Sequence, residues 1–234
     1  VKFPVAEELG GVIPELAGRK VSVLIWTTTP WTLPANMAIA FHPDFEYAAV
    51  AVGDETWILA KELVAGCMAQ FGIEAYTIIA TFSAACLENK HCRHPFMERE
   101  SLMVLADYVT ADSGTGCVHT APGHGSDDYL TGLRYGLDIL SPVDDAGRYT
   151  AEAGKYAGQQ IPQVNRQIIA DMANDGSLVK EASIRHSYPH CWRCKEPVMY
   201  RATAQWFISM ENLDLRTKAL AAINEVKWTP AWGQ

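Results

Sequence analysis

No apolar run in this 234-residue chain approaches the ~18 residues that a membrane-crossing helix needs; residues 47–52 form one of the longest, at six. Basic residues are in deficit, with 19 Lys and Arg against 27 Asp and Glu and a formal charge of −8. That balance argues against a protein that binds nucleic acid over its whole surface, because phosphate neutralisation needs a basic excess. Cysteine is sparse. The six residues, Cys67, Cys86, Cys92, Cys117, Cys191 and Cys194, include one Cys-x-x-Cys pair and read as reduced thiols of a cytoplasmic protein rather than a disulfide scaffold. There is no Gly-x-Ser-x-Gly elbow, His-Glu-x-x-His helix, Walker loop or strand-Gly-x-Gly-x-x-Gly-helix unit, which sets aside the standard serine hydrolases, zincins and P-loop enzymes. The chain opens without Met, shows no signal-peptide pattern and ends on Trp228-Thr229-Pro230-Ala231-Trp232-Gly233-Gln234. We read it as a domain of a longer protein.

What is present is a globular composition, 49% apolar and 20% charged. Strands are expected at 21–26, at 45–52 and 55–60 around Gly53-Asp54, and at 74–82, 102–109, 117–120 and 178–186. Helical spacing is expected over 61–71, ending at Gly72, over 126–135 with Ser126 as N-cap, over 162–174 behind Pro162, and over 212–226. Strands and helices do not alternate strictly. The expected fold is therefore α+β, mainly antiparallel and barrel-like with peripheral helices. We divide it into a core at 1–180 and a closing segment at 181–234; the composition turns locally basic from residue 180 (Lys180, Arg185, Arg193, Lys195 and Arg201 against Glu181 and Glu196).

Three clusters carry candidate chemistry. Thr27-Thr28-Thr29-Pro30-Trp31-Thr32 places four hydroxyls at a strand end, able to hold a ribose, a water or a carbonyl without net charge, or simply to be strand residues stopped by proline. His119-Thr120-Ala121-Pro122-Gly123-His124-Gly125-Ser126-Asp127-Asp128 is an irregular loop followed by two acids at a helix start. One acid can serve the helix dipole, worth ~0.3–1 kcal/mol, while the other faces a pocket suited to an ammonium group. His119 is open to reading as base, ligand or pocket wall. His186-Ser187-Tyr188-Pro189-His190-Cys191-Trp192-Arg193-Cys194 contains one zinc knuckle, or a turn with two reduced thiols. A full zinc ribbon needs a second pair.

In this order the clusters resemble the editing domain of the isoleucyl-tRNA synthetase family of class I aminoacyl-tRNA synthetases. The resemblance rests on the run from Trp26 to Asn36, the run from Gly114 to Tyr129, and Tyr188-Pro189-His190-Cys191-Trp192-Arg193-Cys194 followed by Arg201-Ala202-Thr203-Ala204-Gln205-Trp206-Phe207. Valyl and leucyl relatives would carry Arg where Thr29 stands. The resemblance implies hydrolysis of valine mischarged onto tRNA(Ile), leaving open whether the adenylate is also hydrolysed, and partners in the tRNA 3′-CCA end and the parent's catalytic domain, away from any membrane. It implies that Asp128 holds the α-ammonium and that Thr27, Thr28 and Thr29 surround the terminal adenosine and the ester. Thr32 and His119 would measure the side chain, with Trp26, Gly123 and His124 also against substrate. No cofactor is implied for editing. Cys191 and Cys194 would be half of a zinc site completed in the full-length parent. The family's synthetic signatures, HIGH and KMSKS, do not occur here, so no adenylate synthesis is expected. The alternative is a non-catalytic zinc-knuckle module that binds RNA.

Overall fold

The computed structural model describes residues 1–185 and 187–233. In chain order the strands are β1 (Lys2–Pro4), β2 (Val21–Leu24), β3 (Ala38–Phe41), β4 (Glu46–Val52), β5 (Glu55–Ala60), β6 (Thr77–Ser83), β7 (His91–Arg93), β8 (Glu100–Leu105) and β9 (Cys117–Thr120). The helices are α1 (Val64–Phe71), α2 (Ser126–Tyr135), α3 (Asn165–Asn174) and α4 (Leu215–Glu225). The fold is mixed α+β. Among the described residues its strands form two open sheets, ordered β1-β2-β5-β4-β6 and β7-β8-β3-β9, rather than the expected closed barrel. Most pairings are antiparallel, but β2 with β5 and β3 with β8 run parallel.

The two sheets face each other across the principal core, and side-chain alternation shows how. On β4, Tyr47 and Ala49 point into the intersheet core, while Ala48 and Val50 point out beneath α1 with Trp57, Leu59, Val64 and Met68. On β3, Ile39 and Phe41 point in, and Ala38 and Ala40 pack outward with Val104 and Val109. Both faces of these strands are covered, so they read as continuous apolar runs. α3 joins the core through Ile168 and Met172, with Val164 just before it.

The sheets meet at a seam where the end of β2 reaches β9. Trp26 bridges Val118 in parallel, and its N–H approaches the Cys117 carbonyl at 3.4 Å. The residues that follow each strand, Thr27 onward and Ala121 onward, therefore leave the sheets side by side.

Some expectations fail locally. Residues 178–185 form no strand, and His186, the last residue of that expected strand, lies outside the described residues. The N-cap of α2 is Gly125, in an extended conformation, and Ser126 is the first helical residue without a capping bond. The chain divides into two compact units, Val1–Ala202 and Thr203–Gln234, so residues 181–202 pack with the first. Ala202 N–H donates to Gly123 O at 2.7 Å, and the Arg201 guanidinium donates to Val143 O at 2.7 Å and pairs with Asp145. In the second unit, α4 follows a short 3-10 turn, and an ion pair joins Arg216 to Glu211 at 2.6 Å. No helix among the described residues is long and apolar enough to cross a membrane.

Gly116, just before β9, has φ +70°, and a Cβ there would lie 2.3 Å from that of Ala60. Gly116→Ala should therefore destabilise the domain by about 2–4 kcal/mol through overpacking and left-handed strain. The measurement is the urea midpoint, and an unshifted midpoint would contradict this close approach.

Candidate active site

The two loops that leave the seam enclose a cavity of about 230 Å³ lined by Thr27, Thr29, Trp31, Thr32, His119, Ala121, His124, Asp128, Tyr188 and Tyr200. The threonine loop holds its own shape. Thr27 Oγ1 accepts from Thr29 N–H at 3.0 Å, and Thr32 Oγ1 donates to Thr29 O at 2.8 Å within the 3-10 segment Pro30–Ala35. These are short-range hydroxyl-to-backbone bonds of the kind that fix turns. Tyr149, from beyond α2, donates its hydroxyl to Trp31 O and anchors the segment from below.

Asp128 stands in the first turn of α2, but its carboxylate bends back past the helix start. Its Oδ2 accepts from Ala121 N–H at 2.8 Å. The intervening loop makes this return because Gly123 presses against residue 140; a Cβ at position 123 would meet Leu140 O at 2.1 Å. Burial pushes the Asp128 carboxyl up to about 6, the Ala121 N–H works against that rise, and neighbouring Asp127 adds to it. Asp127 itself is exposed. The two adjacent acids have thus separated, one to the cavity and one to solvent.

His119 is buried behind this wall with both ring nitrogens engaged. Asn36 Nδ2 has two hydrogens, one given to Ala38 O and one to His119 Nδ1, each at 2.8 Å. The Asn36 carbonyl oxygen accepts from the Ser101 hydroxyl, which fixes the amide orientation. Since Nδ1 accepts, the proton of neutral His119 sits on Nε2, which donates to Thr32 Oγ1 at 2.8 Å. Thr32 passes its own proton to Thr29 O. The result is a directed chain from Ser101 through Asn36, His119 and Thr32 to the threonine loop. Burial lowers the His119 pKa to about 3, with His94 and His124 adding to the effect. His94 is likewise held neutral, at about 4, mainly by burial, and its Nε2 reaches Leu33 O at 2.9 Å under the same loop.

The remaining expected site residues lie elsewhere. Thr28 and Trp26 face an adjoining groove of about 340 Å³, which Thr27 also lines. Gly123 is buried in the turn and contributes backbone, its carbonyl accepting from Ala202. Cys191 and Cys194 sit in a turn that aims the N–H groups of Cys194 and Arg193 at the Cys191 sulfur and lowers its pKa. Two thiols supply half of a tetrahedral zinc shell. Among the described residues no three His, Cys, Asp or Glu side chains converge as a metal site. Asn36 and Ser101 behind His119, and Tyr188 and Tyr200 on the cavity wall, carried no chemical signal in sequence. Asn36 closes the threonine run, but only the three-dimensional contact gives it a role.

No family model matches the chain. In fold it is similar to the crystal structure of GlLeuRS-CP1, with TM-score 0.63 and 16% identity over 79% of this chain and 98% of that one. It is also similar to the P. knowlesi cytosolic leucyl-tRNA synthetase editing domain, with TM-score 0.58 and 12% identity over 75% and 93% of the two chains. The architecture is therefore that of the CP1 domains of aminoacyl-tRNA synthetases. Over its full length the chain is 67% identical to an isoleucine–tRNA ligase of Desulfotalea psychrophila and 53% identical to one of Syntrophotalea carbinolica. It belongs to the isoleucine–tRNA ligase family and spans about a quarter (25%) of the length of these curated relatives.

The tautomer and charge of His119 can be tested directly. Nitrogen NMR should show a pyridine-type Nδ1 and a protonated Nε2, with the ring still neutral at about pH 5. Both histidines bind protons more weakly when folded than at the unfolded value of about 6.5. Their contribution is therefore lost as pH falls from about 6.5 towards 4. Asp128, raised on folding, contributes with the opposite sign between its ordinary carboxyl value and about 6. Urea titrations should show a net loss of stability on acidification below 6.5, and a flat profile would contradict neutral burial of the two rings.

Proposed function

We propose that this domain edits: it hydrolyses the aminoacyl ester of tRNA(Ile) mischarged with valine, in the cytoplasm, as part of an isoleucine–tRNA ligase. The observation that carries the reading is the Asp128 carboxylate, held by Ala121 N–H on the wall of a cavity otherwise lined by threonine hydroxyls, imidazoles and aromatic rings. An aminoacyl ester brings an α-ammonium, and one carboxylate oxygen of Asp128 remains to receive it through a charge-assisted bond. That contact positions the ester, and the hydroxyls and loop N–H groups around Thr27 and Thr29 orient water and meet the developing oxyanion. The adenylate carries the same aminoacyl group and would present the same ammonium.

Selection by size is the reason such a site is needed. An apolar pocket separates isoleucine from valine by only about 1–3 kcal/mol, an established figure for this very pair. A second cavity that admits the smaller side chain and excludes the larger works by overpacking, which is costly in a rigid wall. The chain of bonds from Ser101 to Thr29 supplies that rigidity. Thr32 and His119 then set the depth of the cavity, and Thr28 and Trp26 in the adjoining groove are placed for the terminal nucleotides of the CCA end. The parent's catalytic domain is the proposed partner of the second unit, where Trp206 is fully exposed (102%) and Phe207 nearly so (88%). Side chains of that size need cover. A zinc at Cys191 and Cys194 would need two further ligands.

Two measurements test the reading. Deacylation of valyl-tRNA(Ile) should lose about 100-fold in kcat/KM in Asp128→Ala. In the unaltered chain kcat/KM should fall as pH drops through about 6, because protonated Asp128 no longer attracts an ammonium. Wild-type rates in the variant would remove Asp128 from the reaction. His119→Ala should deepen the cavity and lower the preference for valyl over isoleucyl ester about tenfold or more; an unchanged ratio would show that His119 is not part of the wall.

A further inference from the structure

The cavity holds a second imidazole, His124, whose bonding differs from that of His119. Its Nδ1 lies 2.8 Å from Tyr200 O. A carbonyl can only accept, so Nδ1 carries the hydrogen and the lone pair of the neutral ring is on Nε2. The ring is packed edge-on against Trp31, with centroids 5.0 Å apart, and only 9% of the residue is exposed. Nε2 is buried and finds no hydrogen-bond partner among the described residues. An unmatched buried acceptor is costly, about 1–3 kcal/mol, and native structures seldom carry one without a use. Burial lowers the pKa of the ring, which keeps that lone pair unprotonated at neutral pH.

The candidate bases and two of the threonine hydroxyls on the wall already have partners. His119 accepts on Nδ1 and donates from Nε2, so it has no lone pair to offer. Thr27 Oγ1 accepts from Thr29, and Thr32 Oγ1 lies between His119 and Thr29 O. Asp128 gives one oxygen to Ala121 and, on the reading above, the other to the ammonium.

We propose that His124 Nε2 is the proton acceptor for the attacking water, an assignment that rests on the editing reading. The water oxygen forms a bond to the ester carbonyl carbon as one of its protons passes to Nε2. The tetrahedral intermediate then breaks its bond to the ester oxygen of the terminal ribose, which leaves with the proton from Nε2. The products are the free amino acid, whose new carboxyl ionises to solvent, and tRNA with its terminal ribose hydroxyl restored. Tyr200 is the positioning partner: its carbonyl fixes the tautomer that leaves Nε2 bare.

The test is deacylation of valyl-tRNA(Ile) by the unaltered chain, His124→Phe and His124→Ala. Phe keeps the ring packing on Trp31 without the lone pair, and should lose about 100-fold in kcat with KM unchanged. His124→Ala should be equally slow and should regain activity when free imidazole is added, a rescue that a packing role would not give. Independently, a high-resolution crystal structure of the unaltered chain should hold a water about 3 Å from Nε2. Full kcat in His124→Phe, no rescue of a folded His124→Ala, or a dry cavity at Nε2 would each overturn the assignment. An unaltered chain that does not deacylate would instead overturn the editing reading.

Discussion

The hydrogen bond from Ala121 N–H to Asp128 spans the loop between the last strand and the second helix, and the geometry of the cavity hangs on it. A carboxylate in the first turn of a helix ordinarily looks outward, where the dipole and water both satisfy it. Here it is drawn back into a half-buried place, and the Gly123 backbone lies close enough to Leu140 to bring Ala121 under it. The cost of burial shows in the raised pKa, and the single N–H offsets part of it. An ammonium ligand would offset more. The carboxyl is thus left with a burial cost that one N–H does not cancel.

The two imidazoles divide the work. His119 has both nitrogens tied into a chain that begins at Ser101 and ends on the threonine loop, so it acts as a strut. His124 has one nitrogen tied and one bare. They lie five residues apart, His119 in β9 and His124 in the loop that follows, and nothing in their spacing assigns them these different partners. The difference comes from Asn36 and Tyr200, contributed by distant parts of the chain.

Much of the architecture was legible. Strands β4 and β5 around Gly53-Asp54, the four helices and the two long motifs stand near where pattern and spacing put them. Strands β1 and β7 have three residues each, too short for any alternation to register, and β3 is apolar on both faces, so it shows no period. Residues 178–185 have strand-like composition but pair with nothing, because strand formation depends on a neighbour as much as on propensity. The barrel expectation failed since closure is a property of strand order, which composition does not encode. In the candidate site, Asp128 and the threonines could be named from their motif. The protonation of His119 could not, because it is set by an amide 83 positions away in sequence. Tyr188 and Tyr200 line the cavity from far along the chain, where sequence carries no signal that links them to it.

The two parallel pairings carry a consequence for biosynthesis. Val21 pairs with Thr56, and Ala38 is flanked by Leu102 and Thr120. Such distant partners make loop closure expensive and assembly slow. As the polypeptide leaves the ribosome, β3, one of the two inner strands of the smaller sheet, must wait, its apolar faces uncovered, until about half of the domain has been translated. The threonine loop emerges early and the aspartate late, so no nascent intermediate owns a finished pocket.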